Sequence, residues 1–311
     1  MSKVTVVGAG NVGATVANVL AHKDFLREVV LLDIRGDFAK GKALDSWQQA
    51  SIDHYSTRLI GTDDYKDTAG SDIVVITAGI PRKPGMSRDD LISTNAKIVS
   101  SVASSIMEHS DDPTFIIISN PLDVMTYAAH TVTGLPSTKV FGMAGILDTA
   151  RYRAFLATKL GVSPKDIQAV LMGGHGDTMV PLPRYTTVAG IPVTELISDE
   201  DLTAIVNRTK KGGGELVKLM GTSAWYAPGA AGAQMVEAIV KDEDRIFPCC
   251  VKLDGQYGLN DVYLGVPVKL GHGGIKEIYE LKLNQDELAM LHTSSDHVKA
   301  VMKTYDDMNV S

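Results

Sequence analysis

Lys3-Val4-Thr5-Val6-Val7-Gly8-Ala9-Gly10-Asn11-Val12-Gly13 opens the chain with an apolar run followed by a glycine-patterned turn. Lys3–Val7 reads as a strand, and Val12, Val16, Val19 and Leu20 then recur at helical spacing. Three glycines between a strand and a helix allow a tight turn, let the backbone approach a pyrophosphate, and let the helix pack closely on the strand. The N–H groups and dipole of the helix N-terminus then face the phosphate charge. Gly8, Ala9, Gly10, Asn11, Val12 and Gly13 are therefore the candidate phosphate contacts. Asp33 ends the next apolar run, Val29-Val30-Leu31-Leu32. A carboxylate there can accept both adenosine ribose hydroxyls and repels a 2′-phosphate, which favours NAD over NADP. The pattern G-x-G-x-x-G alone also fits a structural turn with a solvated aspartate; its setting between strand and helix points to the cofactor.

Working outward, the first half alternates strand and helix. A helix is expected near 38–50, apolar strands at 72–77 and 114–119, and between them a long helix marked by Leu91, Asn95, Ile98, Val99, Val102 and Ile106. Strands apolar on both faces and separated by helices imply a parallel sheet covered on both sides. Right-handed crossovers then give a Rossmann-type, doubly wound α/β fold whose ligands bind beyond the strand C-termini. Gly8–Gly13, Asp33, Thr77–Gly79 and Asn120 fall along that edge. The character changes near Gly142–Gly145, so a first domain is expected over 1–143 and an α+β domain over 144–311. The second contains helices near 148–160, 199–220 and 224–240, a strand near 167–172, antiparallel strands near 247–253, 262–270 and 275–280, and a last helix near 285–302. Gly212-Gly213-Gly214 interrupts a helical pattern. It fits a bend allowing close backbone approach, and equally the end of one helix and the start of another.

The 311 residues can bury a substantial core, in two domains or one large one. With 30 basic against 37 acidic residues the formal net charge is −7, and no basic block appears, which argues against nucleic acid as a partner. Cys249 and Cys250 are the only cysteines. Adjacent in an apolar run, they suit strand packing and supply neither a disulfide framework nor metal-site spacing. The first strand leaves no room for a signal peptide and no apolar run is of membrane-spanning length, so a cytoplasmic, membrane-free protein is expected.

His175 stands in Gly173-Gly174-His175-Gly176-Asp177, just after an apolar run. Glycines on both sides expose the backbone and let an imidazole point into a cleft, where it can take a proton from an alcohol and return it. His22, His54, His109 and His130 have no comparable setting. Asp148 and Arg151 lie three apart and share a helix face. They fit a surface ion pair; they also fit a cleft pair in which Asp148 fixes the His175 tautomer and Arg151 grips a carboxylate by a two-pronged hydrogen bond. The segment 79–88, rich in Pro, Gly and cations, fits a solvated loop or a lid that lowers guanidinium groups over an anion. Ser119-Asn120-Pro121 ends a strand at the same edge; Asn120 could reach both a nicotinamide and a substrate hydroxyl.

Taken together, the glycine loop, Asp33, ITAGIPRKPGMSRDDL, SNPLDVMT, GILDTARYR and GGHGD resemble the lactate/malate dehydrogenase family, essentially end to end. The resemblance implies that His175 is the proton acceptor and donor, with Asp148 as its carboxylate partner. It implies that Arg151 binds the carboxylate beside the reacting carbon, and that Arg88 polarises the carbonyl from a closing loop over 80–89. Arg82 occupies the discriminating position, glutamine in the lactate enzymes and arginine in the malate enzymes. Asn95 and the backbone of Ile118, Ser119 and Asn120 resemble further NAD contacts, Ser223 lies toward the nicotinamide end, and the Asn120–Pro121 bond is expected to be cis. A homodimer or homotetramer is implied as well.

Charge supports a diacid independently: a monoanion would leave a buried Arg82 unpaired, at a cost of about 3–5 kcal/mol. The expectation is reversible hydride transfer between (S)-malate and NAD, giving oxaloacetate. Lactate dehydrogenase or another 2-hydroxy acid dehydrogenase is the near alternative, with Arg82 against it. An NAD-dependent glycosidase lacks its Cys/His metal site here, and a non-catalytic NAD sensor has no need of His175, Asp148 and three arginines together.

Overall fold

The computed structural model describes residues 2–81 and 86–308. The first half runs β1 (Lys3–Val7), α1 (Asn11–Lys23), β2 (Glu28–Leu32), α2 (Gly36–Gln48), α3 (Ala50–Asp53), β3 (Arg58–Thr62), β4 (Ile73–Ile76), α4 (Arg88–Met107), β5 (Thr114–Ile117), α5 (Leu122–Thr133) and β6 (Val140–Gly142). These strands are parallel in the order β3-β2-β1-β4-β5-β6, so the chain reverses direction across the sheet between β1 and β4. That reversal opens the crevice in which doubly wound folds take their ligands.

Period-two alternation sorts the strand side chains into two cores. Val4, Val6, Val29, Leu31, Val75 and Ile116 face α1, whose Val16, Ala17 and Leu20 cover them. Val7, Leu32, Val74, Ile76, Phe115 and Ile117 face α4 and α5. Each fully buried aliphatic side chain contributes about 1.5–3 kcal/mol relative to exposure. This explains the apolar continuity of β1, β2, β4 and β5, which have no solvent face.

The second half adds α6 (Gly145–Leu160), β7 (Ile167–Gln168), β8 (Leu171–Met172), β9 (Val180–Pro181), β10 (Thr187–Val188), β11 (Ile191–Pro192), α7 (Asp199–Lys210), α8 (Gly212–Met220), α9 (Tyr226–Val240), β12 (Arg245–Asp254), β13 (Asn260–Gly271), β14 (Gly274–Ile278) and α10 (Gln285–Asp307). The antiparallel strands expected here are present, but they form no separate sheet. β12 pairs with β6 through Cys250 and Gly142, so β12, β13 and β14 extend the parallel sheet to nine strands. Cys249 and Cys250 are free and buried in that junction.

Three expectations need correction. The single strand near 167–172 is two short ones in different sheets, β7 pairing with β10 and β8 with β9. The single helix over 199–220 breaks at Lys211 into α7 and α8. The helix carrying Asp148 starts at Gly145, three residues earlier than the apolar periodicity suggested.

Candidate active site

The glycine turn meets its requirements one residue at a time. Gly8 has φ +100°, a conformation that side chains disfavour, and a Cβ there would lie 2.8 Å from Thr77 Oγ1. A Cβ on Gly13 would fall 1.8 Å from the Gly8 carbonyl oxygen, so this position sets how closely α1 can approach β1. Gly10 has open space around it and caps α1 without a side-chain hydrogen bond. A cavity of about 340 Å³ adjoins the turn, lined by Gly8, Gly10, Asp33, Ile34, Arg35 and the Thr77–Ile80 segment among others.

Asp33 reaches this cavity while bracing the turn: Oδ2 accepts the Ala9 N–H at 2.7 Å and Oδ1 accepts the Arg35 N–H at 2.9 Å. Each carboxylate oxygen keeps acceptor capacity for a ribose hydroxyl. Open backbone at an unsatisfied helix N-terminus, beside a carboxylate at the cavity wall, suits a dinucleotide.

At the ends of β4 and β5 the backbone is held by side chains. Asn95, expected at the cofactor, is only 2% exposed. Its Nδ2 donates to the carbonyls of Asn120 (2.7 Å) and Ile80 (3.1 Å), and its Oδ1 accepts the Ile80 N–H at 2.8 Å. Its hydrogen-bonding groups are thus committed to tying the start of the loop to the end of β5. Ile118 and Ser119 are buried and share the Ile76 carbonyl, and Ser119 Oγ donates to the Ala78 carbonyl at 2.6 Å. Asn120 is exposed, and its peptide bond to Pro121 is cis. Ser223 is exposed and outside the lining of the cavities described here.

His175 is fixed from three directions. Gly173 pairs with Gly265 of β13, Gly174 donates its N–H to Ser294 Oγ of α10 at 2.8 Å, and His175 donates its own N–H to Asp123 Oδ2 of α5 at 3.0 Å. Side chains at 173 and 174 would collide with α10: a Cβ on Gly173 would lie 2.9 Å from Ser294 Oγ, and one on Gly174 2.8 Å from Val298 Cγ2. The ring is held from α6, where Asp148 Oδ2 accepts from His175 Nδ1 at 2.8 Å. This leaves Nε2 as the nitrogen available to exchange a proton. Burial pushes the imidazole pKa down, but the Asp148 charge and hydrogen bond, with Asp123 beyond, outweigh it and the net direction is up.

Of the two readings of Asp148 and Arg151, the geometry selects the cleft pair. The Asp148 side chain is 2% exposed, and its Oδ1 accepts from Arg151 Nη1 at 3.2 Å. Arg151 Nε is buried without a hydrogen-bond partner among the described residues. A cavity of about 310 Å³ is bounded by Asp148, Arg151, His175, Lys210, Lys211 and Gly214 among others. Both readings of the triple glycine hold at once: a new helix starts at Gly212, and a Cβ there would come within 3.2 Å of Arg151 Cδ.

Arg88 lies on the other side of His175. Ser87 and Asp90 form a capping box that starts α4 at Arg88. The guanidinium points to α10, with Nη2 3.0 Å from His297 Nε2. A cavity of about 410 Å³ there is lined by Arg88, His175, Asp123, Asp177 and His297 among others. Arg82 lies outside the described residues.

Sequence reasoning missed Asp123, Ser294 and the two lysines. Asp123 showed as a lone carboxylate among Leu122, Val124 and Met125, and Ser294 as a small polar residue on the apolar face of α10. Lys210 and Lys211 carry no motif of their own and border the cavity from the junction of α7 and α8.

The arrangement joins a dinucleotide-type turn to an imidazole–carboxylate–guanidinium chain. Residues 2–142 match the family model described as lactate/malate dehydrogenase, NAD binding domain, and residues 146–308 the one described as lactate/malate dehydrogenase, alpha/beta C-terminal domain. A malate dehydrogenase of Cytophaga hutchinsonii is 64% identical over 307 residues, 98% of each chain. The solved malate dehydrogenase of Salinibacter ruber superposes with a TM-score of 0.95 at 54% identity, covering 98% of each chain. The minor L-lactate dehydrogenase of Enterococcus mundtii superposes with a TM-score of 0.93 at 32% identity over 97% of this chain and 98% of that one, so backbone shape does not separate the two activities. Fold, glycine turn and both family models agree along nearly the whole length: this chain belongs to the lactate/malate dehydrogenase family.

Proposed function

We propose that this protein is an NAD-dependent malate dehydrogenase that interconverts (S)-malate and oxaloacetate. The supporting observation is the chain Arg151–Asp148–His175, in which one buried carboxylate binds both a guanidinium and the imidazole. Asp148 fixes the tautomer and stabilises the imidazolium. His175 Nε2 takes the hydroxyl proton of malate, or returns it to the nascent alkoxide of oxaloacetate reduction. Arg151, whose Nε has no hydrogen-bond partner among the described residues, pairs with the carboxylate beside the reacting carbon. Bound NAD supplies the nicotinamide C4 that accepts or gives the hydride.

Gly8, Ala9, Gly10, Asn11, Val12 and Gly13 hold the pyrophosphate, Asp33 the adenosine ribose, and the backbone of Ile118, Ser119 and Asn120 the nicotinamide side. Asn95 supports that backbone. Asn120 also contacts substrate, and Arg88 turns in from His297 to polarise the carbonyl as the loop closes and excludes water. Arg82 pairs with the second carboxylate. The identity of that residue and the names of the similar curated proteins support malate over lactate.

The domains divide at 143/144, and the protein is a cytoplasmic homodimer or homotetramer. Among the described residues no helix is long and apolar enough to cross a membrane, and no cluster of His, Cys, Asp and Glu could hold a metal ion. NADH consumption followed with oxaloacetate and with pyruvate tests the assignment. Strong preference for oxaloacetate, lost with NADH binding retained in His175→Asn, is the expected result. Equal rates with pyruvate would overturn the substrate, and full turnover in His175→Asn the mechanism.

A further inference from the structure

Two carboxyl groups converge on His175, and their surroundings differ. Asp148 has a guanidinium on one oxygen and the imidazole on the other. Asp123, the second residue of α5 and 9% exposed, has no such pairing. Its carboxyl accepts the main-chain N–H of His175 on Oδ2 and a weak hydrogen bond from the Cys250 thiol, and its Oδ1 is buried with no hydrogen-bond partner among the described residues.

We propose that Asp123 is a protonated, neutral carboxyl in the working enzyme and a positioning residue that holds the His175 main chain, leaving Asp148 as the only anionic partner of the imidazole. This rests on the acid/base role given to His175 above.

A carboxylate needs several donors to replace lost water, and one that is buried without them or a counter-ion takes up a proton instead. The groups facing Asp123 supply one main-chain N–H and a thiol, too few for a carboxylate. His175 and Asp177 come from the histidine turn, Asp148 from α6, the Cys250 thiol from β12, and Arg88 and His297 border the same cavity. Two of these are carboxylates, and Arg88 is turned to His297. The N-terminus of α5 favours an anion. Burial outweighs the His175 charge, the Cys250 hydrogen bond and the His175 N–H, and the Asp148 charge adds to burial: the carboxyl is pushed up from its ordinary range. A second anion beside His175 would tighten its hold on the proton that oxaloacetate reduction must release.

Infrared difference spectroscopy of the NAD-bound enzyme against Asp123→Asn at neutral pH reads this proton directly. The wild type should show one protonated-carboxyl C=O band that the variant lacks. Asn keeps both the acceptor and the neutral charge, so the pH midpoint of malate oxidation should stay in place in Asp123→Asn. Asp123→Ala removes the acceptor and should lower kcat about tenfold with NADH affinity kept. Absence of the band from the wild type, or a downward move of the midpoint in Asp123→Asn, would overturn the proposal. The infrared result does not depend on what His175 does, so its failure is distinct from failure of the acid/base assignment.

Discussion

Arg88 Nη2 donates to His297 Nε2 at 3.0 Å, across the cavity that also exposes His175. A guanidinium has only donors, so this contact requires His297 to present a bare Nε2, with its proton on Nδ1. The contact holds the cation on α10, so under the proposed mechanism a carbonyl substrate must compete with the imidazole for it. Replacing His297 by alanine removes the competitor. The KM for oxaloacetate should fall about twofold to fivefold, the size of one partly exposed hydrogen bond, with little change in kcat. Steady-state kinetics of the two proteins decide it; an unchanged or raised KM would show that the contact does not hold Arg88 back.

The pH dependence of the two directions should be opposite. Malate oxidation needs neutral His175, so its rate rises with pH through the imidazole midpoint. Oxaloacetate reduction needs the imidazolium and falls over the same range. Burial lowers the His175 pKa, but the Asp148 charge and hydrogen bond oppose it and the net direction is up, so the midpoint should lie above that of an ordinary histidine. In Asp148→Asn it should move down, and oxidation at high pH should lose about 10²–10⁴-fold as the tautomer is no longer fixed. Initial rates across pH in both directions measure this, and a midpoint indifferent to residue 148 would contradict it.

Substrate choice should follow Arg82. In Arg82→Gln the penalty for a monoanion disappears, so the ratio of kcat/KM for oxaloacetate over pyruvate should drop roughly a hundredfold or more, from an unpaired-charge cost of about 3–5 kcal/mol. Paired assays on the same preparation check it. Unaltered selectivity would place the discrimination elsewhere, with Lys210 and Lys211 next to test because they border the cavity beside Arg151.

Gly13→Ala tests the glycine turn. The new Cβ would meet the Gly8 carbonyl at 1.8 Å, and backbone cannot swing away as a side chain can. A loss of about 1–3 kcal/mol in stability is expected, with weaker NADH binding as α1 is forced from β1. Thermal unfolding and fluorescence titration read the two effects; a variant as stable as the wild type would mean that the turn relaxes freely.

How far the sequence could be read followed the range of the interactions involved. Period-two and helical patterns are local, so the doubly wound half, the glycine turn and the glycine-flanked His175 were legible from neighbouring residues. The break at Lys211 was legible only as one of two readings of the triple glycine, because whether glycines bend or end a helix depends on what packs against them. The antiparallel extension of the parallel sheet was not legible, because it depends on Cys250 meeting Gly142 more than a hundred residues away.

The chain alone determined its kind of fold, its cofactor class and which imidazole, carboxylate and guanidinium could do chemistry, since composition, spacing and side-chain type decide these. Tertiary structure alone decided that Asp148 is shared between Arg151 and His175, that Asn95 is spent on the backbone, and that Asp123 and Ser294 pin the histidine turn. Each of those facts is a contact between elements distant in sequence. Burial and hydrogen bonding set the charge and aim of a side chain, and neither exists until the elements pack.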